Sequence, residues 1–96
     1  MEIIREKDFE LMAMAFPTLR DAEGVFPWNP NRLDIWAAEE ADSPEAIAAA
    51  QFLLSLWNPC CQWECGCFNP QQAFQYWDSP HRLAYLDWAS RESAVN

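Results

Sequence analysis

Between Ala46 and Trp77 the chain carries one charged residue, Glu64. A run this apolar cannot lie in water without loss of stability, so it must supply the interior of whatever the chain folds into. Its middle, residues 57–70, also holds all four cysteines, two of the six tryptophans and one of the two glycines. This segment is therefore the centre of the fold and the one place suited to a metal or a reactive thiol. The whole chain has 96 residues, which predicts one domain with a small core. Six tryptophans, six phenylalanines and two tyrosines make that core rich enough to need neither disulfide nor metal.

The helix starts are written in a recurring device, an aromatic residue followed by Asn and Pro. It occurs as Trp28-Asn29-Pro30, Trp57-Asn58-Pro59 and Phe68-Asn69-Pro70, with Ser43-Pro44 and Ser79-Pro80 as close variants. Asn or Ser caps the orphan backbone N–H groups of a first helical turn. Pro fits at the next position because its missing N–H would be unpaired there. The aromatic ahead of the cap packs on the first turn.

Helices are accordingly expected over 5–16, Asn31–Ala41, Ser43–Trp57, Asn69–Trp77 and Ser79–Arg91, with a single turn over Pro59–Glu64 ended by Gly66. The first carries Ile4, Phe9, Met12, Ala13 and Phe16 as its stripe and stops at Pro17. The helix 43–57 is apolar nearly all round, through Ile47, Ala50, Phe52, Leu53, Leu54, Leu56 and Trp57, which marks it as the central one. The last places Tyr85, Trp88 and Ala89 inward with Leu83 and Leu86 beside them, and the tail 92–96 frays. Thr18–Pro27 reads as a loop with a short extended piece at Val25-Phe26. No alternating stretch is long enough for a strand. The class is all-α, a compact orthogonal bundle of four to five short helices.

The formal net charge is −9, from fifteen acids against six bases with no Lys/Arg cluster. That speaks against direct nucleic-acid binding, which needs cations on the phosphates. The N-terminus has charges of both signs and no apolar stretch of signal-peptide length, and no uncharged run makes a membrane-spanning helix. A cytoplasmic protein is the expectation. In a reducing compartment four cysteines imply thiols or a metal before disulfides.

Cys60, Cys61, Cys65 and Cys67 are spaced C-C-x3-C-x-C. Zinc prefers four ligands from two well-separated knuckles, and here all the thiols crowd into eight residues. The preferred expectation is buried thiols acting as small hydrophobes. The alternatives are a zinc site from Cys61, Cys65 and Cys67 with His81 as fourth ligand, or a disulfide from Cys60 or Cys61 to Cys67. His81, the lone histidine, reads as an exposed first-turn residue or a core imidazole with one hydrogen bond. A Cys–His catalytic pair would need an orienting group such as Asp78 or Asn69. With one histidine, two glycines and no catalytic or phosphate-binding fingerprint, the chain does not read as an enzyme, and no cofactor is expected.

The acids are uneven. Asp21, Glu23, Asp34, Glu39, Glu40, Asp42 and Glu45 face Arg32 alone within residues 21–45. The plain reading is a solvated face that keeps an aromatic-rich chain soluble. The functional reading is a patch for a basic protein partner, made by Asp34, Glu39, Glu40, Asp42 and Glu45 with Trp28 as a partly exposed aromatic anchor. Small, very acidic single domains of this composition resemble the inhibitors with which phages and mobile elements mimic nucleic-acid charge. That resemblance is one of composition, covers no motif and transfers no residue. Two other functions stay open: a cysteine-centred zinc or redox module, and a structural subunit that hides surplus aromatic surface in a homodimer.

Overall fold

The computed structural model describes residues 6–58 and 62–95. It is an all-α bundle of five helices: α1 (Glu6–Ala15), α2 (Pro30–Glu39), α3 (Pro44–Trp57), α4 (Pro70–Tyr76) and α5 (Ser79–Val95), with a 3-10 turn at Pro17–Leu19. Among the described residues no strand occurs, only an isolated bridge between Val25 and Trp28. No helix there is long and apolar enough to cross a membrane. The radius of gyration, 12.4 Å, matches the roughly 12.5 Å expected of a globule of this chain length.

The caps explain the boundaries. Asn29 Oδ1 accepts from Arg32 N, Ser43 Oγ from Ala46 N, and Asn69 Oδ1 from both Gln71 N and Gln72 N, each with Pro directly after the cap. Each such bond satisfies a donor that the helix cannot, worth about 1 kcal/mol. At α5 the expectation is off by one residue. Asp78, not Ser79, accepts from His81 N at 3.2 Å, because a carboxylate three residues ahead of that donor reaches it directly. Asn58 instead ends α3, its N–H donating to Leu54 O at 2.9 Å. The turn expected over Pro59–Glu64 falls partly outside the described residues, and Gln62 and Trp63 are not helical. α5 runs on to Val95 instead of fraying after Arg91, since neither Pro nor Gly interrupts that stretch.

α3 is the centre. It buries Ala46, Ala48, Ala49, Ala50, Phe52, Leu53 and Leu54, and α1, α2, α4 and the 3-10 turn all pack on it. Phe52 meets Phe16, Phe68, Tyr85 and Trp88 at ring-centroid distances of 5.2–5.8 Å. Trp77, fully buried, packs on Phe16, Phe68, Phe74 and Tyr85 and donates Nε1–H to Glu45 O at 3.1 Å. A second cluster joins α1 to the following loop: Phe9 stacks on Trp28 at 4.8 Å, and Trp57 meets both rings. Phe9, Ala13 and Phe16 of the expected α1 stripe are buried and Met12 half-buried, while Ile4 lies outside the described residues.

Three apolar placements differ from expectation: Trp57, counted with the core of the central helix, is exposed at the end of α3, and Leu83 and Leu86 of α5 are exposed as well. Leu11 and Met14 of α1 are also exposed. In α5 His81, Tyr85 and Trp88 take the inward face; at about 100° per residue Leu83, two positions from both His81 and Tyr85, and Leu86, two from Trp88 and five from His81, point outward.

Candidate functional site

The loop after α3 is tied down by two polar side chains from neighbouring helices. Asp34 of α2 accepts from Glu64 N through Oδ2 at 3.0 Å and from Cys65 N through Oδ1 at 2.9 Å. Gln51 of α3 donates Nε2–H to Cys65 O at 2.7 Å. Gly66 then turns the chain at φ +97°, its N–H bonded to Trp63 O at 3.1 Å. A buried carboxylate is tolerable only when hydrogen-bonded, and Asp34, 7% exposed, meets that condition with backbone donors. Asp34 therefore leaves the acidic patch that the sequence suggests. Its charge is spent on holding the cysteine loop.

That arrangement sets the thiol chemistry. Burial pushes the Cys65 thiol up to about 12, and its hydrogen bond to Asp34 and the Asp34 charge push the same way. Cys65 is a protonated, half-buried thiol at neutral pH, and metal ligation and nucleophilic attack both need the thiolate. Cys67 is exposed, and both Cys65 and Cys67 are free thiols. Cys60 and Cys61 lie outside the described residues. Among the described residues no three His, Cys, Asp or Glu side chains converge on a possible metal position. The set Cys61, Cys65, Cys67 and His81 also loses its fourth member, because both ring nitrogens of His81 are engaged elsewhere.

Those engagements make a tie between remote parts of the chain. His81 Nδ1 lies 2.6 Å from Asp78 Oδ1, and Nε2 lies 2.8 Å from Thr18 Oγ1. The carboxylate can only accept, so Nδ1 carries the proton and a neutral ring accepts from the Thr18 hydroxyl at Nε2. The ring is 2% exposed and lies against Phe16 and Trp77. His81 is thus a core imidazole with two side-chain partners, joining the 3-10 turn to the start of α5. Its hydrogen bond holds the Asp78 carboxyl below its usual range. The tie was not legible in the sequence, since Thr18 is 63 positions away.

The remaining acids stay at the surface. Glu39, Glu40 and Asp42 are exposed and Glu45 half-exposed, so the corner from the end of α2 to the first turn of α3 carries four carboxylates. None has an ion-pair partner among the described residues. The last turn of α2 holds no basic residue. Glu39 and Glu40 therefore sit at the negative end of a helix dipole, where a carboxylate is unfavourable.

Trp28 is 5% exposed, not partly exposed, because it stacks on Phe9, and its N–H donates to Glu10 Oε2 at 2.8 Å. Its indole Nε1 is buried with no partner, as is that of Trp63. In the same loop the ring of Phe26 is 75% exposed, while Val25 and Trp28 are buried. An open cleft of about 480 Å³ lies beside it, lined by Asp21, Ala22, Glu23, Gly24, Phe26, Pro27, Asn29 and Arg32. No protein-family model matches the chain, and no curated protein and no solved structure is significantly similar to it.

Proposed function

We propose that the protein is a small acidic binding module that docks onto, or occludes, a basic surface of a protein partner. The observation that carries the reading is the position of Glu39 and Glu40. Unpaired acids at the carboxyl end of α2 work against the helix dipole, at about 0.3–1 kcal/mol each. Charge placed where the fold is penalised for it is the mark of a site serving a partner, since cations from that partner would remove the penalty. Asp42 and Glu45 extend the same corner, and Asp21 and Glu23 add exposed acids before α2. Asp34 and Trp28 take no part in the contact. In its most specific form the module imitates the charge of a nucleic acid, and its partner is then a nucleic-acid-binding protein of a host or rival element. The site of action is the cytoplasm, where Cys65 and Cys67 remain thiols. The reading assigns no catalytic residue and no cofactor.

The test is capture of a partner from host extract on immobilised protein, compared with the Glu39→Gln/Glu40→Gln/Asp42→Asn variant, in low and in high salt. Retention by the parent protein alone, lost in high salt, supports the reading, because exposed charge contacts are screened. A partner held equally by both proteins, or equally in high salt, overturns it. Nucleic acid that displaces the partner would establish the mimic form.

One observation favours a second reading. Leu11, Met14, Leu83 and Leu86 leave apolar side chains on the outward faces of α1 and α5, which suits a homodimer. Light scattering distinguishes one chain from two.

A further inference from the structure

The loop that carries Phe26 is fixed at both ends. Gly24 stands at φ +87°, and a Cβ there would lie 2.4 Å from Leu33 N and 2.6 Å from Asn29 O. The loop is therefore drawn against the start of α2 more closely than any other residue allows. Asn29 N–H donates to Gly24 O at 2.7 Å, Val25 and Trp28 bridge, and Trp28 N–H is held by Glu10. Phe26 is thus carried out into water on a moored loop whose Val25 and Trp28 are buried, and its backbone cannot move inward without breaking those bonds. An aromatic ring carried on a backbone already fixed in place loses only its own rotamer freedom on contact, which favours a binding hot spot.

The charges around it say what fits. Asp21 and Glu23 line the cleft as exposed carboxylates, and neither they nor the Arg32 guanidinium has a side-chain partner among the described residues. The cleft is open, and its 480 Å³ is at the small end of the range for enclosed ligand pockets, about 300–1,000 Å³. An open groove suits a chain crossing it more than a metabolite enclosed by it. We infer that the cleft takes a lysine or arginine side chain from an extended basic segment of the partner. The Phe26 ring packs on the aliphatic stem and faces the cation, and Asp21 and Glu23 accept hydrogen bonds from its charged end. Arg32 would repel that cation, so the basic side chain lies at the Asp21–Glu23 end. The guanidinium of Arg32 is left to donate to carbonyl oxygens of the crossing chain.

This inference rests on the basic-partner reading above, and its test separates the two. A short peptide of alternating Gly with Lys and Arg is titrated into isotope-labelled protein at low salt and followed by amide chemical shifts. An equal-length peptide with Gln in place of each basic residue is the control. The expected result is shifts centred on residues 21–33. Phe26→Ala and Asp21→Asn/Glu23→Gln should each weaken binding about tenfold, the loss of one anchoring contact, while Glu39→Gln/Glu40→Gln changes it less than about twofold. Phe26 is exposed, so its variant should melt with the parent protein. Shifts centred on residues 39–45, or a Phe26→Ala variant that binds unchanged, overturn the cleft and leave the basic-partner reading standing. The absence of any shift, with the Lys/Arg peptide no different from the Gln peptide, overturns both.

Discussion

Neutralising Glu39 and Glu40 should make the protein more stable and a poorer binder at once. Glu39 is the last residue of α2 and Glu40 its cap, with Glu40 N–H and Ala41 N–H both bonded to Trp36 O at 2.8 and 2.9 Å. Both carboxylates lie within the final turn, where the dipole acts, and no cation shares that turn. Two contributions of about 0.3–1 kcal/mol give a gain of about 1 kcal/mol for Glu39→Gln/Glu40→Gln at low salt. Glu and Gln have nearly equal helix propensity, so the substitution isolates charge. In a domain of this size about 1 kcal/mol raises Tm by about 4–8 °C. Thermal denaturation by circular dichroism reads it, and the gain should shrink toward zero at about 1 M salt, where the Debye length is about 3 Å. Glu45 supplies an internal control with the opposite sign. It lies in the first turn of α3, so Glu45→Gln should lower stability by about 0.3–1 kcal/mol. A Tm that is unchanged or lower in the double variant at low salt, or a Glu45→Gln variant that is stabilised, would refute the reasoning from the helix dipole.

Asp34→Ala leaves two backbone N–H groups without acceptors and should cost about 2–3 kcal/mol in urea denaturation. It should also speed alkylation of Cys65, mapped by mass spectrometry, because Asp34 helps hold that thiol protonated. Burial and Asp34 raise the folded-state value of Cys65 above the ordinary thiol value of 9.0 to about 12. Stability should therefore be intact below pH 9.0 and fall as pH rises toward about 12, more steeply than in Cys65→Ala. Asp78 has a depressed folded value through its bond to His81. Its contribution is present above the unfolded carboxyl value of about 3.9 and is lost as pH falls through the lower folded one, so acid titration of stability should flatten in Asp78→Asn. Gly24→Ala meets backbone at 2.4 and 2.6 Å in a positive-φ conformation and should cost about 2–3 kcal/mol, with the Phe26 loop displaced.

Local chemistry carried far in the sequence. Asn29-Pro30, Ser43-Pro44 and Asn69-Pro70 each open a helix, because a cap bond is made within three residues and needs nothing from the rest of the fold. α3 is central for the equally local reason that its apolar residues surround it. Features set by remote partners were not legible. Asp34 looks like any surface acid until residues 64 and 65, thirty positions on, bring it their N–H groups. Trp28 and Phe26 are both aromatic residues in one loop, and only the stacking surface of Phe9 decides which is buried. His81 needed Thr18, and Leu83 and Leu86 followed from His81 turning inward. The acidic corner at residues 39–45 was visible from the sequence, and the helix expected over Asn31–Ala41 already puts Glu39 and Glu40 in its last turn; the structure moves the end of α2 to Glu39 with Glu40 as its cap.

Zero-length carbodiimide coupling joins a carboxylate to a lysine only when the two touch, and in host extract it asks directly whether these acids meet a basic protein. The account predicts isopeptide bonds from Asp21 or Glu23, and from Glu39, Glu40, Asp42 or Glu45, to lysines of one and the same partner. Coupling confined to a second copy of this chain, or a partner joined through none of those six carboxylates, would contradict it.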